Sequence, residues 1–268
     1  MRDYDTDEKM QKLDNECNVT LPQIFSLYTS ELKRIGPMSD GGYWVEQNSI
    51  ENSDHLLSFG MNDDWRFEKE IEKLSGNQID VYDGSTSQKL FRNNIIKEAL
   101  KIFRVRSTLK AIQTYIDYSI FFNKKNVVHH RRYVGLNYEN RRDKWSSLEA
   151  IMKTYNSSSR ILIKCDIEGG EYRLLDDLLR YNQLLTGLII EFHNLDIMMD
   201  KVTQFISDFP LKLVAVNVNN YGPMKNNTPT VIECTFSSNY LKTKIDGIQQ
   251  IKNDPDEFMP VLSIKYDH

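Results

Sequence analysis

Two apolar runs in this chain stop abruptly at groups that can do chemistry. Residues 161–171 read ILIKCDIEGGE and set Asp166, Glu168 and Glu171 just past the run. Residues 187–194 read GLIIEFHN and bring Glu191 and His193 to the end of the second. Unpaired carboxylates are expensive to bury, so groups placed this way sit at a strand edge facing a cleft, a ligand or a metal. Two chemistries suit the set. In one, His193 is a general base and Asp166 and Glu191 orient it or the acceptor. In the other, Asp166 and Glu191 hold a divalent cation such as Mg²⁺ that acidifies a hydroxyl. Plainer roles stand beside these: Glu171 and Glu168 follow or flank Gly169-Gly170 at a helix start, where a carboxylate complements the helix dipole, and His193 alone also fits a structural histidine.

The surrounding elements must present these groups together. The run 55–60 reads as a strand ending in Gly60, 77–85 as a strand ending at Asp83-Gly84, 131–137 as a strand, and 159–168 and 186–194 as two more. Helices are expected over 64–76, closed by Gly76, over a basic middle from about 88 to 123, over 144–155, 169–185 and 196–209, with final strands at 211–220 and 229–236. Upstream, residues 21–36 carry Ile24, Leu27, Tyr28, Leu32 and Ile35 at helical spacing between Pro22 and Gly36, which predicts an amino-terminal helix. Strands alternating with helices predict a mainly parallel, doubly wound α/β sheet covered on both faces. Residues 1–50 are read as an amino-terminal helical extension, serving as a lid or a homodimer contact, and 51–268 as the main domain.

Composition narrows the classes. A chain of 268 residues with 40% hydrophobic and 11% aromatic content holds enough material for a large core. A net charge of -4 argues against a protein that coats nucleic acid. Cys17, Cys165 and Cys234 are odd in number and widely spaced, which reads as reduced thiols. The polar start and the lack of an apolar run near 20 residues predict a soluble, cytoplasmic protein with no membrane insertion.

In an open parallel sheet, ligands bind beyond the carboxyl ends of the strands. Gly60, Asp83, residues 135–137, Asp166 to Glu168 and Glu191 to His193 should therefore line one crevice. A strand that ends in glycine lets a ligand approach the backbone. The lone Gly60 lacks the three glycines of a dinucleotide fingerprint, so a pyrophosphate cofactor is disfavoured. Asp83 closes the next strand where a carboxylate can accept two hydrogen bonds from a ribose diol, as in nicotinamide and S-adenosylmethionine enzymes; DGS is equally a plain turn. Lys124, Lys125, Arg131, Arg132, Arg141, Arg142 and Lys144 crowd the segment 123–145, which suits a phosphate or a solvated face.

The stretches RIGPMSDGGYWV, LLSFGMNDDWRFEKEI, KCDIEGGEYRLLDDL, LIIEFHNL and NNYGP…TPTVIECTF together resemble the FkbM-type S-adenosylmethionine-dependent methyltransferases, in a branch associated with surface glycans and capsules. The resemblance covers about residues 34–237. Asn217 stands where such proteins often carry His. The resemblance implies a Rossmann-like class I methyltransferase fold and O-methylation of a sugar hydroxyl in a surface polysaccharide or its phosphorylated or nucleotide-linked precursor. It implies donor contacts from Phe59, Gly60, Asp63, Phe67, Glu68, Asp83, Gly84 and Asp166. It implies acceptor contacts from Glu168, Asn219, Asn220, Arg131 and Arg132, and catalytic roles for His193, Asp166 and Glu191. A binding module without activity and a metal-dependent hydrolase using the same carboxylates remain the alternatives.

Overall fold

The structure, a computed structural model, describes residues 16–37, 41–101, 105–135, 143–219, 224–225, 228–241, 249–251 and 261–267. In chain order these form β1 (Glu16–Pro22), β2 (Leu32–Ile35), β3 (Tyr43–Glu46), α1 (Gln47–Glu51), β4 (His55–Phe59), α2 (Arg66–Ser75), β5 (Gln78–Tyr82), α3 (Gln88–Ala99), α4 (Val105–Phe121), β6 (Val127–His130), β7 (Tyr133–Gly135) and β8 (Trp145–Ser147). Then come α5 (Leu148–Met152), β9 (Ile161–Cys165), α6 (Leu175–Arg180), β10 (Leu185–His193), α7 (Leu195–Asp208), β11 (Lys212–Val218), β12 (Met224–Lys225), β13 (Thr228–Pro229), β14 (Val231–Ser237), β15 (Gln249–Ile251) and β16 (Val261–Asp267).

Seven strands make the central sheet in the order β11-β14-β10-β9-β4-β5-β6. Pairings from β10 through β9, β4 and β5 to β6 are parallel, and β14 runs antiparallel between β10 and β11. This is a mainly parallel, Rossmann-like sheet. Its central strands are continuous apolar runs because both faces are covered: every residue of β9 is buried, as are Leu56, Leu57, Ser58 and Phe59 of β4. Alternate side chains feed two cores. Leu57, Phe59 and Ile163 pack toward α5, α6 and α7, while Leu56, Ile79, Val81 and Leu162 pack toward α2 and α4. Gly76 ends α2 in a left-handed cap with φ +65°, its N–H bonded to Glu72 O at 2.9 Å, as the sequence predicts.

The connections leave β4 for β5 and β6 on one side and for β9 and β10 on the other. The strand order therefore reverses between β4 and β9, and a crevice opens past their carboxyl ends. That reversal positions the site.

Three expectations change. Residues 21–36 do not form a helix: β1 gives way to a 3-10 turn over Gln23–Phe25, and β2 pairs with β3. Leu21, Phe25, Leu27 and Ile35 are the fully buried apolar side chains there, whereas Leu32, on the predicted stripe, is exposed. Backbone pairing to β3, together with Tyr28 N–H donating to Leu213 O at 2.9 Å, outcompetes the local helix. The strand expected at 131–137 is displaced. The sheet's edge strand is β6, and β7 pairs instead with β8 in a separate two-stranded sheet; Leu136 and Asn137 lie outside the described residues. The helix expected over 169–185 is broken into 3-10 turns around the short α6. Among the described residues no helix is long and apolar enough to cross a membrane, and Cys165 and Cys234 are buried free thiols.

Candidate functional site

The floor of the crevice is made by two backbones pressed together. Gly60 follows β4 with φ +78°, and a Cβ on it would lie 1.7 Å from Asp166 O. Asp166 N–H donates to Phe59 O at 2.9 Å, and Gly60 N–H donates to Tyr82 O at 3.0 Å. Only glycine fits there. Above this floor lies a cleft of about 740 Å³, within the usual range for small-molecule sites. Gly60, Asp63, Phe67, Glu68, Asp83, Gly84, Asp166 and Glu168 all line it. Phe59 does not: its side chain is wholly buried in the core, and only its backbone reaches the crevice. The lining holds six carboxylates (Asp63, Asp64, Glu68, Asp83, Asp166 and Glu168) against three cations (Arg66, Lys164 and Arg173). Its field favours a positively charged ligand over a pyrophosphate.

Asp83 does something different from what its position suggested. Its Oδ2 accepts from the N–H groups of Met61 at 3.0 Å and Asn62 at 2.8 Å. Its Oδ1 accepts from Ser85 N–H at 2.7 Å, Ser85 Oγ at 2.6 Å and Thr86 N–H at 3.2 Å. Burial would raise its pKa, but the Ser85 hydroxyl and these backbone donors hold it below the usual carboxylate range. The carboxylate ties the loop after β4 to the loop after β5. Its lone pairs are already occupied, so its contribution to the cleft is the shape of both walls.

Two further ionisable groups are buried at the cleft. Lys164, within β9, is buried; its ammonium donates to Gly60 O, lies 3.7 Å from Asp166 Oδ2 and sits 5.5 Å from the Tyr43 ring centroid. Burial opposes its charge, yet the Asp166 and Glu68 carboxylates raise its pKa, so it remains an ammonium. Glu68, one turn into α2, accepts from Ser58 Oγ and has its pKa raised by burial, while its Oε2 has no partner.

At the β9–β10 end, Asp166 and Glu168 extend from the cleft into a cluster around His193. The ring's Nδ1 lies 3.1 Å from Glu171 Oε1. Its Nε2 lies 3.5 Å from Glu168, 3.7 Å from Glu191 and 4.0 Å from Asp166. Glu171 is fully buried, and its Oε1 also accepts from Ile167 N–H at 3.0 Å and Gly169 N–H at 3.1 Å. It therefore fixes both the EGG turn and the ring, a larger task than complementing a helix dipole. Glu168 is the solvent-facing member, with its side chain 85% exposed. The Tyr43 hydroxyl, from β3, bridges Asp166 Oδ2 at 2.9 Å and Glu191 Oε2 at 3.3 Å. Asn219 Nδ2 donates to Glu191 Oε1 at 2.8 Å; Asn220 lies outside the described residues. Glu168, Asn62 and Asn194 are non-glycine residues with φ near +50°, each in a loop that follows a sheet strand at this crevice. Such backbone strain persists where the surrounding structure over-determines it.

Burial alone would lower the His193 pKa. The hydrogen bond to Glu171 and the charges of Glu171, Glu191 and Asp166 instead raise it to about 9. Close by, burial and the Glu191 charge raise Glu233 to about 8, against the hydrogen bond from Asn217. Both groups keep protons in the folded chain that the unfolded chain gives up at lower pH. Stability should therefore fall as pH rises. The His193 contribution is complete below pH ~6.5, is lost as pH rises through about 9, and is on the order of 3 kcal/mol. Chemical denaturation at a series of pH values checks this, and His193→Gln should flatten the slope between pH ~6.5 and ~9.

Arg131 and Arg132 stand elsewhere. They line a second hollow of about 540 Å³ with Lys144 and Gly84 to Ser87, joined to the main cleft through Gly84, Ser85 and Tyr133. They follow β6, four strands from β10, which sets them roughly 19 Å from His193 at about 4.8 Å per strand. The cleft and the acid–histidine cluster come together; the arginines lie at the far end. Arg141 and Arg142 fall outside the described residues. Tyr43 and Lys164 are the site groups that the sequence did not single out, and the contact between Glu171 and His193 was not read there either; the lysine inside an otherwise apolar strand was the visible signal.

No family model matches the chain, and no curated protein matches it. Among solved structures, the fibrillarin pre-rRNA processing protein of Methanococcus jannaschii is similar over 70% of this chain and 68% of its own, at 7% identity and a TM-score of 0.36. A precorrin-6y C5,15-methyltransferase from Geobacter metallireducens is similar over 71% and 84%, at 10% identity and a TM-score of 0.38. An rRNA methylase from Streptococcus thermophilus is similar over 71% and 92%, at 9% identity and a TM-score of 0.38. A shared architecture does not fix chemistry, which has to be argued from the site.

Proposed function

We propose that this chain is an S-adenosylmethionine-dependent O-methyltransferase acting on a sugar hydroxyl of a surface glycan or of its nucleotide-linked precursor. One observation carries the reading: an acid-rich cleft at the strand-order reversal shares Asp166 and Glu168 with a carboxylate–histidine cluster. The cleft fits a cationic donor, since a lining of six carboxylates against three cations would favour the sulfonium and ammonium of S-adenosylmethionine. The cluster fits an acceptor alcohol. The resemblance to FkbM-type methyltransferases supports the same assignment. In the reaction, the acceptor oxygen attacks the methyl carbon in line, the carbon–sulfur bond breaks, and neutral S-adenosylhomocysteine leaves. The hydroxyl proton passes to Nε2 of His193 in its neutral form. Glu171 holds that ring by Nδ1, as a carboxylate orients a catalytic histidine. Tyr43 and Asn219 keep Glu191 and Asp166 in place beside it.

Titration with S-adenosylhomocysteine by calorimetry tests the donor assignment. Wild type should bind, and Asp83→Ala should weaken binding by roughly 1–3 kcal/mol by freeing the loop N–H groups it anchors. Absence of binding in the wild type, with the chain folded, rejects a methyl donor and favours a hydrolase. Arg131 and Arg132 bear on the acceptor. Because they lie so far from His193, only an extended acceptor, such as a nucleotide-linked sugar, reaches both. Arg131→Ala or Arg132→Ala should then raise KM for that acceptor, less so as salt increases, and leave donor affinity alone. Equal losses on neutral and charged acceptors would mark the pair as ordinary surface.

A metal-assisted version rests on a second observation: one ligand atom each from Asp166, Glu171 and His193 lie within 4.8 Å of one another. The set differs from the Asp166–Glu191 pair read in the sequence, because Glu191 is tied to Tyr43 and Asn219. Two carboxylates and an imidazole suit Mg²⁺ or Mn²⁺, and the unpartnered Glu171 Oε2 leaves an acceptor to offer. Such an ion would acidify the hydroxyl, and it would compete with the proton that His193 carries.

A further inference from the structure

The outer face of the α3–α4 hairpin is apolar, and among the described residues nothing covers it. Of the large hydrophobic side chains exposed among the described residues, six belong to these two helices, including Leu90 and Ile96 on α3, and a seventh, Leu100, caps α3. Along α4, Val105, Leu109, Ile116 and Ile120 are 68%, 59%, 50% and 64% exposed, and Ile112 between them is half-buried. At 3.6 residues per turn these five fall within an arc of about 80°. The opposite side of α4 is the one that enters the core, through the buried Tyr118 and Phe121. The helix therefore has two apolar faces and buries one, the mark of a helix that meets a second surface.

The spacing of the exposed stripe is its own complement. If two copies of α4 lie antiparallel about a two-fold axis between residues 112 and 113, Val105 meets the partner's Ile120 and Leu109 meets the partner's Ile116. Charges do not oppose this register: Arg106 falls opposite the partner's Ser119, Lys110 opposite the partner's Tyr115, and Asp117, which pairs with Lys69 at 2.5 Å within its own chain, opposite the partner's Thr108. A two-fold interface requires such self-complementarity. The seven exposed side chains offer roughly 700 Å², close to the ~800 Å² that each partner buries in an interface of standard size. From these features we infer that the chain forms a symmetric homodimer through α4, with α3 widening the contact. This surface lies on the hairpin and not on residues 1–50, where the sequence reading put a dimer contact.

Light scattering and sedimentation of the full chain provide the test. Wild type should be dimeric, and Ile116→Lys should be monomeric with an unchanged circular dichroism spectrum, since position 116 lies off the core. A double variant Leu109→Cys, Ile116→Cys should give a disulfide-linked dimer on mild oxidation, because each cysteine faces its counterpart across the axis. Either single variant should not, since like positions are then offset by seven residues, about 10 Å along the helix. A wild type that stays monomeric throughout its concentration range, or whose stripe is covered by another segment of the same chain, overturns the inference. So does a dimer that survives Ile116→Lys without forming the double-cysteine crosslink.

Discussion

His193→Ala is expected to lower kcat by about 10²–10⁴-fold, the scale for losing a general base. His193→Gln should do the same while keeping an amide that can still donate to Glu171. Donor binding should persist in both. The pH profile gives the sharper reading, because the carboxylates around His193 raise it to about 9. A base must be unprotonated, and at pH 7 only about one ring in a hundred is. In wild type kcat/KM should therefore climb about tenfold per pH unit through neutrality and level off near pH 9, a profile that the Gln variant loses. Four carboxylates around one imidazole favour the imidazolium. Chelation separates the metal-assisted version. There EDTA abolishes turnover and Mg²⁺ or Mn²⁺ restores it, whereas proton removal by His193 is indifferent to chelator. If Asp166→Asn and both His193 variants leave turnover intact on the true acceptor, the cluster is structural and the assignment fails.

Gly60→Ala is the second large effect. The added Cβ would lie 1.7 Å from Asp166 O, and both obstructing groups are backbone, so nothing flexible can yield. The residue also needs φ +78°. A loss of at least about 4 kcal/mol is expected, the scale of the severest single substitutions. With the β4 and β9 loops forced apart, S-adenosylhomocysteine binding should disappear. Gly76→Ala supplies the contrast. It has φ +65° and open space around it, so it should cost only about 1–2 kcal/mol and leave donor binding intact. Thermal unfolding and calorimetry read both. If Gly60→Ala melts no earlier than Gly76→Ala and still binds the donor product, the jammed backbone is not what shapes the cleft.

The central sheet was legible in the sequence because parallel strands buried on both faces must be continuous apolar runs. Those at 55–59, 161–165 and 185–193 have no alternative use in a chain of this size. The turn chemistry of Gly76 and the abrupt acidic ends of β9 and β10 were equally local, and they located the crevice. The amino-terminal segment failed for a matching reason. Ile24, Leu27, Tyr28, Leu32 and Ile35 mimic a helical stripe, but their conformation was decided by pairing to β3 and β11, which no local pattern records.

The roles of the site residues lay further from view still. Asp83 closes its strand as a ribose ligand would, yet the fold fills its oxygens with five donors from two loops. His193 and Glu171 meet across 22 residues of chain, and Tyr43 bridges Asp166 and Glu191 from more than a hundred residues upstream. Sequence determined the central strands β4, β5, β9, β10, β11 and β14 and which chemical groups stand at the ends of β9 and β10. Only the tertiary structure decided which groups touch, and so which keep their protons, because a pKa is set by burial and by charges a few ångströms away and not by neighbours along the chain.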